Sequence, residues 1–578
     1  MSVSSHKPSL ARLLFTRQGR IGRLEYFHCV LLLGAVFYLL NQAFGDLLGY
    51  ALPLLLGSVL SWCLAATSTK RLHDVGRQGW WLGAAFLPVL GPLWLIWQLF
   101  VRRGQPIANH FGPARGRASD YYRNDQGQPA SDGNGVIIND VTKLNPIVVG
   151  KVERPATLEA LRNILCNTSG PVSVGGGRFS MGGQTASPGS LHLDLRELNA
   201  ITGFSAEEKW IRVLAGARWC DIQRHVDPHG LSVKIMQTYA NFTVGGALSV
   251  NAHGRYIGLG PAVLSVRRIE VVLADGNVIS ASQEENPEIF FAAIGGYGAI
   301  GVISEVELDL ADNTAIECVD HKLPRSEYAK YFRAEVRDDP QAVLHNGDLY
   351  PPDYRRINIV TWRQTERIPT TPSRLRPLNE SYPLYRYFIW AYSETPWGHW
   401  RREHMFDPVF FLRKRVYWRN YEAGYDVREL EPKSRRDHTY VLQEYFIPVR
   451  NFDTFADLMS EILNRHHVKV LNVSIRHALP DPGTYLAWAR EEVFSFVLYY
   501  KQATGAAARG AVAVWTRELI EAAIAQEGTY YLPYQAHATP EQFHRAYPRA
   551  RELLALKRRL DPENRFRHVL WNTYAPSL

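Results

Sequence analysis

Three long apolar runs stand within the first hundred residues, at about Tyr26–Phe44, Leu47–Thr67 and Trp80–Val101. Each approaches the roughly 20 apolar residues that a bilayer-spanning helix needs, and three in close succession are hard to bury in one soluble core. Lys7, Arg12, Arg17, Arg20 and Arg23 precede the first run; Asn41–Asp46 holds no Lys or Arg, whereas Ser68–Gly79 carries Lys70, Arg71 and Arg77. The positive-inside rule sets the N-terminus and the second connection in the cytoplasm. A third full crossing would export Arg102, Arg103 and Arg115. Pro88, Gly91 and Pro92 interrupt that run, so a re-entrant hairpin is the better reading, with everything downstream cytoplasmic. From Arg102 to about Asp140, polar residues with Gly and Pro and no sustained period read as a linker.

Beyond the linker, short β-rich runs alternate with helical spacing. Val148–Val152 reads as a strand, Ala156–Cys166 as a helix preceded by Pro155, and Pro171–Val174 as a short buried strand. Val266–Leu273 and Val278–Ser280, joined by Asp275-Gly276, read as a hairpin, and Val302–Leu310 as a further strand. Val468–His477, rich in β-branched residues, and Thr529–His537 are two more strands. Glycines cluster at Gly175–Gln184, Thr243–Gly254 and Gly295–Ile303. Glycine takes positive φ freely, so such a loop can converge its N–H groups on a pyrophosphate, although a plain turn is the commoner explanation of any single cluster.

Composition narrows this picture. With 578 residues, two to four domains are expected, and 46% hydrophobic with 12% aromatic residues is a globular balance. The net charge of +9 is spread along the chain and points to an anionic membrane surface or acidic ligand. Nothing resembles a zinc finger, an arginine-rich arm or an aromatic RNA-binding signature, so no nucleic-acid partner and no metal site are expected. The cysteines Cys29, Cys63, Cys166, Cys220 and Cys318 are odd in number and form no C-x-x-C pair, which disfavours a disulfide framework.

Gly19–Tyr26 together with Arg71–Trp81, containing R-L-H-D-V-G-R-Q-G-W-W, resembles a small bacterial integral-membrane domain family of unknown function over roughly residues 11–113. That resemblance implies a multi-pass location in the bacterial inner (cell) membrane. His73 and Asp74 read as a metal or proton site or, more simply, as a polar interfacial loop, and Trp80 and Trp81 as interfacial anchors.

The three glycine segments, with Asp194–Asn199, Gln443–Pro448, Ala546-Tyr547-Pro548, Leu560-Asp561-Pro562 and Phe566, resemble the vanillyl-alcohol-oxidase-type (PCMH-type) FAD-binding oxidoreductases from about residue 142 to the C-terminus. Within them the chain is most similar to the aldonolactone and alditol oxidases and decaprenylphosphoryl-ribose oxidase. The implied fold is α+β. An all-α transmembrane domain spans 1–101, the linker 102–141, and a PCMH-type FAD-binding domain 142–312. A sheet-containing substrate (cap) domain follows over 313–530, and a C-terminal segment, 531–578, completes the site. The resemblance assigns the FAD pyrophosphate to Gly175, Gly176, Gly177, Arg178, Phe179, Ser180, Met181, Gly182 and Gln184. It lays Thr243, Gly245, Gly246, Asn251 and His253 along the flavin, and Gly298, Gly301, Val302 and Ile303 against the adenosine or dinucleotide backbone. Phe179 stands where many relatives carry the histidine that links FAD covalently, so non-covalent FAD is expected.

The implied reaction is oxidation of an alcohol of a sugar, sugar lactone or lipid-linked sugar by hydride transfer to flavin N5, with quinone or oxygen as electron acceptor. Arg476 falls where relatives orient substrate oxygens. Ser474 replaces the glutamate of alditol and aldonolactone oxidases, and Tyr534 the lysine common in sugar oxidases. Tyr534, His477, His253 and Glu444 are the candidates for the proton acceptor, with Lys501 a weaker one. Two alternatives remain at this level: a flavin-dependent reductase of a membrane-soluble substrate, and a non-catalytic flavin-binding redox sensor.

Overall fold

A computed structural model describes residues 14–16, 20–48, 51–102, 128–129, 135–377, 391, 395, 397–411, 414–425, 435 and 437–575. Two compact units divide the chain at residue 120.

In the first unit the apolar runs become helices Arg23–Leu48 and Ala51–Asp74. They lie side by side in opposite directions, with Tyr26 Oη 2.9 Å from Ser68 Oγ. The third run is not one helix. It is a 3₁₀ turn at Gly79–Phe86, a short helix at Leu90–Ile96 and a π-turn at Trp97–Val101. The break falls where Pro88 and Pro92 remove backbone donors and Val89 takes φ +61°. Gly91 lets the two arms meet, since a Cβ there would lie 1.8 Å from the Ala84 carbonyl oxygen. Both ends of the run return to the same end of the helix pair: Gly79 packs on Thr69, while Arg71 Nε donates to Leu99 O at 3.0 Å and Arg23 to Val101 O at 2.9 Å. That end is closed by charge. Asp74 bonds Arg20 at 3.0 Å and Arg71 at 2.7 Å, all three nearly inaccessible. Among the described residues one helix, over Arg23–Leu40, is long and apolar enough to cross a membrane.

Among the described residues the second unit has four sheets. A parallel one orders Lys151–Glu153, Leu191–Asp194 and Val172–Gly175. The next pairs Val278–Ala281, Val266–Val272, Val302–Asp312, Trp210–Leu214 and Ile201–Ser205 in that order, all antiparallel, with Leu231–Val233 on the far end of Val302–Asp312. The largest is an eight-stranded antiparallel sheet ordered Val416–Trp418, Ala315–Pro324, Arg356–Gln364, Ala342–Leu349, Val470–Ala478, Val493–Ala503, His438–Pro448, Thr529–Tyr530. One buried apolar cluster runs from Ile211 through Phe290 and Phe494 to Tyr574, so the core continues across residue 312.

Three expectations change. Val148–Val152 is two strands, Ile147–Val149 and Lys151–Glu153, that switch sheets at Gly150. The end of the expected linker is ordered, because Val136–Ile138 pairs antiparallel with Ile147–Val149 and with Gln128–Pro129. Thr529–His537 is a strand only at Thr529–Tyr530. Pro533 has no N–H for a ladder, and its carbonyl instead accepts from Met181 N at 2.7 Å.

Replacing Asp74 with Ala leaves two buried guanidiniums without their counter-charge, a loss of about 3–5 kcal/mol for a broken buried pair. The expected outcome is that the first unit of the full chain in detergent becomes protease-sensitive at a lower temperature, while the second unit keeps its transition.

Candidate active site

Period-2 alternation on three adjacent strands aims one set of side chains at a single cavity. Tyr440, Leu442 and Glu444 project from His438–Pro448, Val497 and Tyr499 from Val493–Ala503, and Arg476 from Val470–Ala478. They line a cavity with Gly176–Met181, Tyr239, Phe242, Thr243, Gly246, His253, Tyr531 and Tyr534 on its other walls. A second cavity shares Gly176, Ser180, Thr185, Thr243, Gly246 and Val250 with the first. It continues past Gly175, Gln184, Gly245, Gly298, Gly301, Val302 and Ile303 to Phe566 and His568.

The wall between the cavities is the first glycine loop. A Cβ on Gly176 would sit 2.2 Å from Thr243 Oγ1, so this approach of loop to helix requires glycine. Gly298, at φ +69°, turns the third loop in the left-handed region. Arg178 takes φ +58°, unusual for a side-chain-bearing residue, and its guanidinium is fixed on Asp194 at 3.2 Å. Gln184 ties the loop to the C-terminal segment by donating to Leu532 O at 2.7 Å and Tyr534 O at 2.5 Å.

The far end of the second cavity depends on Lys557, which is buried. Its ammonium donates to Ala299 O at 3.0 Å, Asp561 Oδ2 at 2.8 Å and Phe566 O at 2.9 Å, using all three protons. Asp561 in turn receives Arg565 N and Phe566 N. His568 faces Tyr297 O through Nε2, while its buried Nδ1 has no protein partner.

At the other end stands a buried carboxylate. Glu444 Oε1 meets His253 Nε2 at 2.6 Å and accepts from Ser495 Oγ; Oε2 accepts from Tyr534 Oη at 3.4 Å. His253 Nδ1 lies 3.2 Å from Gly254 O, so both ring nitrogens face oxygen atoms. Burial works to raise the Glu444 carboxyl, but His253, Arg476 and Ser495 outweigh it and hold it below the ordinary glutamate value. Burial and the neighbouring carboxylate push the Tyr534 phenol well above its ordinary value. Arg476 Nε is buried without a hydrogen-bond partner.

Several expected site residues lie elsewhere. His477 is on the opposite strand face from Arg476, as alternation requires, packed on Phe332 and bonded to Glu492 at 2.7 Å. Asn251 does not line either cavity: its amide donates to Asp481 at 2.7 Å and accepts from Val263 N at 3.1 Å, which braces the loop that presents His253. Gly182 lies behind the wall, donating to Gln184 Oε1 at 2.9 Å. Ser474 shares the Arg476 face without reaching the cavity lining, and Lys501 also lies outside it. Sequence reasoning missed Ser495 and the aromatic lining of Tyr239, Phe242, Tyr440 and Tyr499. Ser495 and Tyr499 keep the period of Val497 along their strand, but which face meets the cofactor is set by the sheet register, Arg476 opposite Ser495 and Glu444 opposite Val497.

Paired cavities joined by a glycine wall fit a dinucleotide laid through both, with the orphaned His568 Nδ1 at one end and Arg476 at the other. Residues 146–282 match the family described as FAD binding domain, and residues 14–113 match a family described as protein of unknown function. Relatives include cytokinin dehydrogenase 2 of Oryza sativa subsp. japonica, 30% identical over 27% of this chain and 30% of its own length. Alditol oxidase of a Streptomyces species is 31% identical over 28% and 38%, and cytokinin dehydrogenase 5 of Arabidopsis thaliana 32% over 25% and 27%. The chain thus spans less than two-fifths of the length of these curated relatives. It carries a PCMH-type FAD-binding domain, and FAD is its cofactor.

Lys557→Met keeps the stem but removes the three donated bonds and strands Asp561. Losing a buried pair of this kind corresponds to a drop of at least about tenfold in affinity for any ligand that needs the pocket. FAD titration of the stripped protein, followed by flavin fluorescence, is expected to show that weakening.

Proposed function

We propose that the protein is a membrane-anchored FAD-dependent oxidoreductase that oxidises an alcohol of a sugar, sugar lactone or lipid-linked sugar. The observation that carries this reading is the Glu444 carboxylate. One oxygen is occupied by His253 and Ser495, while the other is turned through Tyr534 toward a cavity that Arg476 also faces.

Bound FAD supplies the two-electron acceptor for the substrate C–H bond. The chain's own residues handle the rest. The Arg476 guanidinium orients the substrate oxygen and favours its negative charge as the O–H bond breaks. Tyr534, a neutral phenol, passes its proton to Glu444 Oε2 as it takes the substrate's, so the proton ends on the carboxylate. His253 and Ser495 keep Glu444 aligned and anionic until then. Tyr239, Phe242, Tyr499 and Tyr534 exclude water from the reacting end.

Non-covalent FAD is supported by the cavity lining. Phe179 packs at a tilt on Phe242 with centroids 4.0 Å apart, and the histidine of the first cavity, His253, already has both nitrogens facing oxygen atoms. Anchoring is supported by the apolar helix at Arg23–Leu40 and the folded-back third run, whose two ends meet at one end of the helix pair. With the positive-inside distribution, that arrangement supports a cytoplasmic flavin unit. Quinone or oxygen would reoxidise the flavin.

The test begins with the absorbance spectrum of purified protein and of the supernatant after acid precipitation. Released yellow flavin is expected; colour that stays in the pellet contradicts non-covalent binding. Anaerobic bleaching by polyols, aldonolactones and phosphopolyprenyl sugars then reads the substrate class, and failure of all of them overturns it. Glu444→Gln is expected to keep FAD while slowing bleaching by about 10²–10⁴-fold, the range for losing a general base. Because the Glu444 pKa is depressed, the carboxylate persists as pH falls, and the acid limb of the bleaching rate lies below the ordinary glutamate range. Its contribution to stability has the same sign: present above the unfolded-state value and lost as pH falls through the folded one. Arg476→Met removes an opposing charge and is expected to move that limb upward.

A further inference from the structure

We propose that the segment Gly398–Phe411, with its described neighbours Trp397, Lys414, Arg355 and Arg356, forms a bilayer-docking surface, which sets the approach to the active-site cavity against anionic lipid headgroups. The segment carries exposed side chains that a water-facing insert has little reason to keep: Trp397 is 78% exposed, Trp400 51% and Met405 50%. His404, stacked on Trp400 at 4.9 Å, is exposed beside them, as are Lys414 and, on the neighbouring turn, Arg355 and Arg356.

The segment's own two acidic side chains point the other way, and the exposed carboxylate of this face is Asp353, on the turn that carries Arg355 and Arg356. Glu403 is buried and bonded to Arg356 at 2.8 Å, and Asp407 accepts from Tyr350 Oη at 2.7 Å. Aromatic and basic groups outward with carboxylates inward is the polarity of a helix that lies in a membrane interface. Indole rings settle at headgroup level, and basic residues meet the negative surface potential. A soluble partner would need a recess to receive the two tryptophans' own surface; a bilayer accepts them as they stand. The same chain also carries an apolar helix of membrane-spanning length, so a bilayer is within reach.

The segment is fastened to the substrate sheet. Lys322 Nζ donates to Glu403 O at 2.8 Å, and Arg402 Nη1 to Asn472 Oδ1 at 3.0 Å. Asn472, Ser474 and Arg476 share one strand face, so the fastening point lies about 13 Å from Arg476 at the rise of an extended strand. A lipid-borne substrate held at the docking surface can therefore reach Arg476 along that face with its tail still in the bilayer. Only this direction of entry rests on the proposed oxidase reading; the docking itself does not.

The experiment uses the full chain reconstituted in vesicles of phosphatidylcholine alone, in vesicles that also contain phosphatidylglycerol, and in detergent micelles. Deuterium uptake of peptides covering 397–411 is expected to slow several-fold in the anionic vesicles relative to the other two. W397S/W400S is expected to lose that protection while peptides from 23–40 keep theirs. Lys414→Glu, which disturbs no packing, is expected to reduce the preference for anionic vesicles. Equal uptake in vesicles and micelles overturns docking. Equal protection in neutral and anionic vesicles overturns headgroup recognition, and protection that rises with protein concentration in micelles assigns the face to a second copy instead. The flavin spectrum is read on the same samples, so loss of the flavin reading and loss of docking are separately visible.

Discussion

A carboxylate taken out of water organises the reacting end of this protein. Glu444 is almost wholly buried, and an isolated charge there would cost several kcal/mol. Its compensation is drawn from three distant stretches of chain: His253 from the second glycine cluster, Ser495 from the adjacent strand, and Tyr534 from the C-terminal segment. Each partner brings its own supports. Asn251 and Trp488 brace the His253 loop, Gln184 grips the Tyr534 carbonyl, and Tyr531 N bonds the Glu444 carbonyl at 2.9 Å. Satisfying one charge therefore fixes the relative positions of the elements that wall the cavity.

The same logic recurs at the other end with opposite sign. Lys557 is a buried cation whose three donors are spent on the third glycine loop, on Asp561 and on the Phe566 carbonyl. Between these two charges lie the glycine loops, which supply close approach. Charge sets the ends of the site and the lack of side chains sets its middle. That division explains why the two cavities adjoin but are differently lined, aromatic near Glu444 and glycine-rich toward His568.

How much of this is legible in the sequence differs by element. The Val266–Val272 and Val278–Ala281 hairpin and the helix that ends at Cys166 follow from local rules, and the structure has both. His477 shows the limit. Its neighbour Arg476 lines the cavity, and a period of two sends His477 away from it; sequence yields the period but not which phase faces the cofactor. Thr529–His537 failed for a related reason: its aromatic content suits a strand, yet Pro533 and the pull of Gln184 and Met181 take the chain off the sheet edge after two residues. Ser495 has no local signature at all, because its meaning comes from lying diagonally across the ladder from Glu444.

The parallel bridge between Val172 and Phe566, with Val172 N and O both bonded to the Arg565–Arg567 backbone, joins the start of the flavin fold to nearly its last turn. A ribosome releases those two stretches almost four hundred residues apart. The glycine loops are thus synthesised early and wait, unclosed, until the final helix has emerged. A molecule trimmed before Phe566 would carry every glycine of the site and still lack the wall that Phe566, Arg567 and His568 give the second cavity.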